Sequence, residues 1–138
     1  MNVDGLTNGI VIDHIKAGMS MRIYNFLGLK DLDCCIAILK NVASSKYGKK
    51  DIIKIDDYIT LDFDVLGYID PNITVNHIKD GEIIKKENMK LPIELKNVLT
   101  CNNPRCITSV EQEVDQIFRL ADAATKSYRC VYCEERAR

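Results

Sequence analysis

The residues with the clearest chemistry are four cysteines near the C-terminus. They read Cys101-Asn102-Asn103-Pro104-Arg105-Cys106 and, after a gap of 23 residues, Cys130-Val131-Tyr132-Cys133. A C-x4-C pair and a C-x2-C pair each form a knuckle that can aim two sulfurs at one point, and two knuckles supply the four thiolates of a tetrahedral metal site, most often zinc. The intervening residues are enough for strands that carry the second pair back to the first. Four thiolates close the coordination sphere and leave no position for water, so the site predicted here is structural rather than catalytic. The competing reading is two disulfides. Iron held by the same thiolates is a third, disfavoured because the C-x2-C-Gly knuckles expected of such electron carriers are missing.

The rest of the composition narrows the choice. No N-terminal apolar stretch has the length of a signal peptide, and no run is long enough to span a bilayer. The chain therefore reads as soluble and cytoplasmic, a reducing setting in which paired cysteines favour metal over disulfide. With 19 basic against 20 acidic residues the formal net charge is −1, which argues against a protein that grips nucleic acid through a surplus of cations. Two stretches, Lys46–Lys54 and Lys79–Lys90, are nevertheless locally basic. They are either solvated faces or the means of holding a small polyanion such as a nucleoside triphosphate. Cys34 and Cys35 have no second pair nearby in sequence. Their position in an apolar run suggests that at least one serves as a small buried hydrophobe.

These groups need elements to position them. The β-branched run Gly9–Ile15 reads as a first strand. Gly18–Leu27 reads as a helix with Met19, Ile23, Phe26 and Leu27 on its core face and Gly28 as its stop. Asp33–Ser44 is expected to be a second strand, Ser45–Lys50 a loop, and Asp51–Ile55 a third strand. Thr60 is placed to cap a helix running to Ile69, with Leu61, Val65 and Ile69 inward. Ile73–Lys79 and Glu82–Lys86 flank Asp80-Gly81, a dipeptide suited to a two-residue hairpin turn. The order β-α-β-β-α-β, its last strand extended into a hairpin, predicts an α+β fold: a ferredoxin-like antiparallel sheet with helices on one face. Residues 1–90 would form this domain and 91–138 a small all-β metal-binding domain. The polar stretch Glu87–Lys96 would be the linker, and the metal would supply folding energy that so small a core lacks.

Taken together, the segments resemble the regulatory chain of aspartate carbamoyltransferase. The resemblance rests on Val11-Ile12-Asp13-His14-Ile15, Lys49-Lys50-Asp51-Ile52-Ile53-Lys54-Ile55, Thr74-Val75-Asn76 with Ile78, Leu91-Pro92, Asn97-Val98-Leu99, and Cys101-x4-Cys106-Ile107 followed by Cys130-x-Tyr132-Cys133-Glu134. Their order and spacing, coupled to the four cysteines, make it specific and extend it over nearly the whole chain.

The resemblance implies a non-catalytic subunit of an enzyme of pyrimidine biosynthesis. It would bind ATP as activator and CTP, helped by UTP, as inhibitor, and would dock onto a separate catalytic chain through its zinc domain. Dimers of the chain would bridge catalytic trimers. By the same resemblance Asp13 faces the ribose hydroxyls, His14 lies near the phosphates, Lys54 reaches ribose or phosphate, and Asn76 and Lys86 address the triphosphate. Lys50 and Thr74 flank that pocket, with Leu6, Ile78 and Ile83 forming its apolar wall at the base end. Mg2+ would be admitted only alongside a bound nucleotide. Asn103, Arg105 and Glu134 would face the catalytic chain. Beside this stand a nucleic-acid-binding zinc ribbon, permitted by the cysteine spacing, and a stand-alone nucleotide sensor. Without the resemblance, Asp13 and His14 are an ordinary polar pair at a strand end, Lys54 and Lys86 are solvated lysines, and His77 is structural.

Overall fold

The computed structural model describes residues 5–46, 48–60, 63 and 65–137. The chain divides into two compact units, Met1–Lys90 and Leu91–Arg138. No helix among the described residues is long and apolar enough to cross a membrane.

The first unit is built on five antiparallel strands: β1 (Gly9–Lys16), β2 (Ile36–Ser44), β3 (Gly48–Ile55), β4 (Thr74–Lys79) and β5 (Glu82–Asn88), in the spatial order β2-β3-β1-β4-β5. Helices α1 (Ser20–Phe26) and α2 (Leu66–Ile69) occupy the two crossovers. The first four strands thus show the ferredoxin-like order, and β5 extends the sheet beside β4. The alternation of the strands decides which face is buried. Ile10, Ile12, Ile53, Ile55 and Val75 point to one side and join Ile15, Ile23, Leu29, Leu66 and Ile73 in a core. Each such side chain stabilises the fold by about 2 kcal/mol through burial. The intervening residues Val11, Asp13, Lys54, Thr74 and Asn76 are left on the other face.

Two close features shape this sheet. Asp80 (φ 52) and Gly81 (φ 79) both adopt the left-handed conformation that a tight hairpin turn requires. The turn is tied to the N-terminal segment, since Gly81 N–H donates to Thr7 O (2.8 Å) and Asp80 N–H to Asn8 Oδ1 (3.2 Å). Gly9 lies against β3 so closely that a Cβ would sit 2.1 Å from Ile55 O.

Several elements differ from the expectation. The α1 helix has Ile23 buried and Met19 and Leu27 packed on the core, but Phe26 is 40% exposed and lies off the core face. Strand β2 begins at Ile36 rather than Asp33, which leaves Cys34 and Cys35 just ahead of it; Cys34 packs against the core and Cys35 is exposed. Strand β3 begins at Gly48 and pairs with β2 out to Ser44↔Gly48, so residues 48–50 of the expected loop are strand. Thr60 and Phe63 are not helical, and α2 starts only after Val65. Leu61 lies outside the described residues. The helix ends at Ile69, two residues ahead of Pro71, which could not continue it.

The second unit holds a three-stranded antiparallel sheet of β6 (Glu94–Lys96), β7 (Ile117–Asp122) and β8 (Ser127–Cys130), and one helical turn, α3 (Ile107–Val110). The polar stretch expected as linker is therefore largely structured: β5 runs to Asn88, and β6 pairs with β7 through Leu95↔Phe118. Leu95, Phe118 and Tyr128 supply the small core, and the Tyr128 hydroxyl donates to Pro92 O (2.6 Å).

Candidate metal centre and ligand-binding face

In the second unit the sulfurs of Cys101, Cys106, Cys130 and Cys133 all lie within 4.8 Å of one another. Cys101 and Cys133 are 3.5 Å apart, Cys106 and Cys130 3.7 Å. A disulfide requires about 2.05 Å, whereas a tetrahedron of sulfurs about 2.3 Å from a metal ion has edges of about 3.8 Å. The spacing is that of metal ligands, and all four are free thiols.

Local hydrogen bonds hold the knuckles. In the first, Asn103 is the hinge: its side-chain oxygen accepts from Arg105 N–H (3.0 Å), and its carbonyl accepts from Cys106 N–H (3.1 Å) and from the Ser109 hydroxyl (2.7 Å). Cys106 then stands at the N-cap position of α3. In the second, Glu134 N–H donates to Cys130 O (2.8 Å), Glu134 itself turning with φ 65. Gln116 on the approach to β7 accepts from Cys101 N–H (3.0 Å).

The electrostatics ask for a cation. The Thr108 hydroxyl donates to Cys106 Sγ (3.1 Å) and holds that thiol down to about 7, outweighing its burial. Burial pushes Cys101 up to about 12 and also raises Cys130. Buried sulfurs resist ionising alone, and a metal ion at their centre supplies the missing charge. Thr108 was not singled out from the sequence; a hydroxyl two residues beyond a ligand cysteine is the signal that could have found it.

The first unit brings the other candidates onto one surface. On the sheet face opposite the core, Lys54 of β3 pairs with Val11 of β1, Val11 with Asn76 of β4, and Asn76 with Lys86 of β5. Residues directly opposite one another share a face, so Lys54, Asn76 and Lys86 form a row across four strands. One step along, Asp13 pairs with Thr74. There Asp13 accepts an ion pair from Lys50 Nζ (3.0 Å) and the N–H of His14 (2.6 Å). His14 sits in a bulge of β1 with φ 60, its Nδ1 3.0 Å from Thr74 Oγ1. One step the other way, Gly9, Ile78 and Ile83 are in register. Leu6, buried at 7%, lies over Gly9.

The face is thus graded, with ionic groups at one end, amide and lysines in the middle and aliphatic side chains at the other. Asn76 Oδ1 is buried with no hydrogen-bond partner, an arrangement that costs about 1–3 kcal/mol unless something donates to it. Beyond His14, a cavity of about 730 Å³ is lined also by Lys16, Ala17, Met19, Lys49 and the Ile69–Asn72 loop. His77 points to the core side, where Nε2 meets Glu87 Oε1 (3.2 Å) and its ring packs edge-on to Phe63.

Fold and site together define a two-unit binding protein, in which a ferredoxin-like sheet domain precedes a module closed around a metal by four cysteines. Comparison with known families places it further. Residues 1–90 match the family model for the aspartate carbamoyltransferase regulatory chain, allosteric domain, and residues 93–138 match that for its metal binding domain. Aspartate carbamoyltransferase regulatory chains of Clostridium tetani and Clostridium acetobutylicum are 48% and 47% identical to it, covering 98% of this chain and 94% and 92% of theirs. That of Bifidobacterium longum is 39% identical over 100% and 99%. The chain belongs to the aspartate carbamoyltransferase regulatory chain family. It is a regulatory rather than a catalytic chain, and the family works in partnership with catalytic chains.

Proposed function

We propose that the open face of the first unit is an effector site for nucleoside triphosphates, with ATP activating and CTP, aided by UTP, inhibiting. His14 and Lys86 meet the phosphates, Asp13 with Lys50 and Lys54 meets the ribose, and Asn76 Oδ1 finds its donor on the ligand. Thr74 steadies His14, while Leu6, Ile78 and Ile83 flank the base. The observation that carries this reading is the row Lys54–Asn76–Lys86 with its buried, unpartnered amide oxygen. The four cysteines hold one Zn2+, favoured by an all-thiolate tetrahedral set, and the exposed Arg105 and Glu134, with the Asn103 loop between the ligands, dock onto the catalytic chain.

Two such chains form a dimer that bridges catalytic trimers in the cytoplasm, where the assembly tunes pyrimidine biosynthesis. A nucleotide alters the enzyme by binding one quaternary state better than the other.

The test is co-purification with the aspartate carbamoyltransferase catalytic chain, with and without a chelator, alongside calorimetric titration with ATP and CTP. Metal-dependent assembly and binding of both nucleotides are expected. Lys86→Ala should weaken triphosphate binding about tenfold, as loss of one charge contact worth about 1.4 kcal/mol, at unchanged metal content. Assembly indifferent to metal, or equal affinity in Lys86→Ala and the parent, overturns the corresponding half of the proposal.

A further inference from the structure

Gly67 lies in the middle of α2, where glycine is the costliest residue after proline, by about 1 kcal/mol relative to alanine. Nothing in its backbone requires it, since it is absent from the positive-φ residues. Its surroundings do: a Cβ at Gly67 would sit 1.9 Å from Lys90 O, 2.6 Å from Lys90 C and 3.0 Å from Lys90 N. The helix therefore rests directly on the peptide of the last residue of the first unit, one bond before the chain enters the second at Leu91. The obstructing atoms are backbone, so no side-chain rotation relieves the contact.

The other end of α2 reaches the ionic end of the open face. The helix ends at Ile69, and Asp70, Pro71 and Asn72 wall the cavity that His14 also lines. Asp70 stitches the two together, its carboxylate accepting from Lys16 N–H (3.4 Å) and Asn72 N–H (3.0 Å). Thr74, which bonds His14, lies two residues further on. The exit strand is fastened to the same segment, as Met89 N–H donates to Ile73 O (3.2 Å). A short helix thus stands between the group proposed to meet phosphate and the peptide that leaves the unit, tied by hydrogen bonds beyond its C-terminal end and packed backbone to backbone at Gly67. Such packing passes a displacement on rather than absorbing it.

We propose that Gly67 is a positioning residue for the regulatory function: its missing side chain lets α2 bear on the Lys90 peptide, so that a shift at His14 moves the start of the connection to the second unit. This rests on the nucleotide reading above and adds a mechanical link to it. Gly67→Ala must push helix and peptide apart by about 1.5 Å to reach ordinary van der Waals contact at 3.4 Å.

The test uses the reconstituted assembly of regulatory and catalytic chains. In Gly67→Ala, ATP affinity is expected to stay within about twofold of the parent and metal content to be unchanged. The ATP-induced change in half-saturation by aspartate should fall by more than half. Lys90→Ala, which keeps the peptide and removes only the side chain, should respond like the parent. A full response in a folded Gly67→Ala assembly overturns the proposal. Should that variant not fold, hydrogen exchange on the parent decides: ATP must change protection of the Met89–Leu91 amides together with those of α2, and a change at α2 alone overturns it. Failure of ATP to bind the parent would strike the nucleotide reading instead, and is scored in the same titration.

Discussion

Asp51 is fully buried on the core side of β3, yet its carboxylate accepts three backbone hydrogen bonds. Its Oδ2 accepts from Gly18 N–H (3.1 Å) and Ser20 N–H (3.3 Å), and its Oδ1 from Asn41 N–H (3.0 Å). It thereby ties the start of α1 to the bulge of β2, where Asn41 turns with φ 60. Asp51→Ala strands three donors. Gly18 and Asn41 are at the surface, so water can replace the carboxylate there at about 0.5–1 kcal/mol each, but Ser20 is buried and its orphaned N–H costs about 1–3 kcal/mol. The expected loss is about 3 kcal/mol, a large part of the stability of a domain of this size. In urea, the midpoint should fall by roughly 1–3 M, followed by far-UV circular dichroism of the full chain with metal in excess. Asp51→Asn, which keeps one acceptor oxygen, should lose less.

The pH dependence provides a second arm. Burial raises the Asp51 pKa, but hydrogen bonds from Ser20, Asn41 and Gly18 outweigh it, so the folded value is lowered. A carboxyl lowered on folding contributes stability that is fully present above its unfolded pKa, about 3.9, and is lost as pH falls through its folded value. The gap between parent and Asp51→Ala should be constant above about pH 5 and shrink steadily below about pH 4. A loss under about 1 kcal/mol at neutral pH, or a gap that does not narrow in acid, would refute the reasoning.

Three further outcomes follow from the same geometry. Asn76→Leu should leave stability unchanged or higher, because it removes a buried acceptor that has no partner, while weakening ATP binding severalfold in calorimetry. Gly9→Ala should cost more than about 2 kcal/mol in chemical denaturation, since its Cβ would strike Ile55 O between two paired strands. Cys130→Ser should lower metal content in elemental analysis and abolish the protease resistance of residues 91–138, with the urea midpoint of the first unit unaltered.

Much of this molecule is legible in its sequence because its signals are local and periodic. The alternating isoleucines of β1 and β3 and the Asp80-Gly81 turn are decided within a few residues, and the four cysteines mark their own meeting point. Where the reading failed, distant contacts had overruled local preference. Phe26 has the right helical spacing for the core yet lies outside it, because only Ile23 and its nearer neighbours face the sheet. Glu94 and Lys96 are charged and a proline stands two residues ahead, but pairing with Ile117–Arg119 makes the segment a strand. Thr60 has a capping side chain, but α2 begins only at Leu66, too far along for Thr60 to cap it. The open face was legible only through the family resemblance: nothing in the spacing of Lys54, Asn76 and Lys86 announces that pairing will bring them into one row. Asp51 was quoted as part of a segment without its role being apparent, since its donors lie ten and more than thirty residues away.

The row across β3, β1, β4 and β5 bears on how such a chain can vary over time. Each strand contributes one rung, and in β3, β1 and β4 the residues flanking the rung face the core, whereas β5 is exposed on both sides. A substitution at Lys54 or Lys86 alters one contact, whereas deleting a single residue inside β1 or β3 turns the polar side of that strand inward and its isoleucines outward. The composition of this face can therefore drift freely by replacement, while changes in length are confined to the turns. Sequence length between Gly9 and Lys86 should be conserved strand by strand even where the identities of the face residues are not.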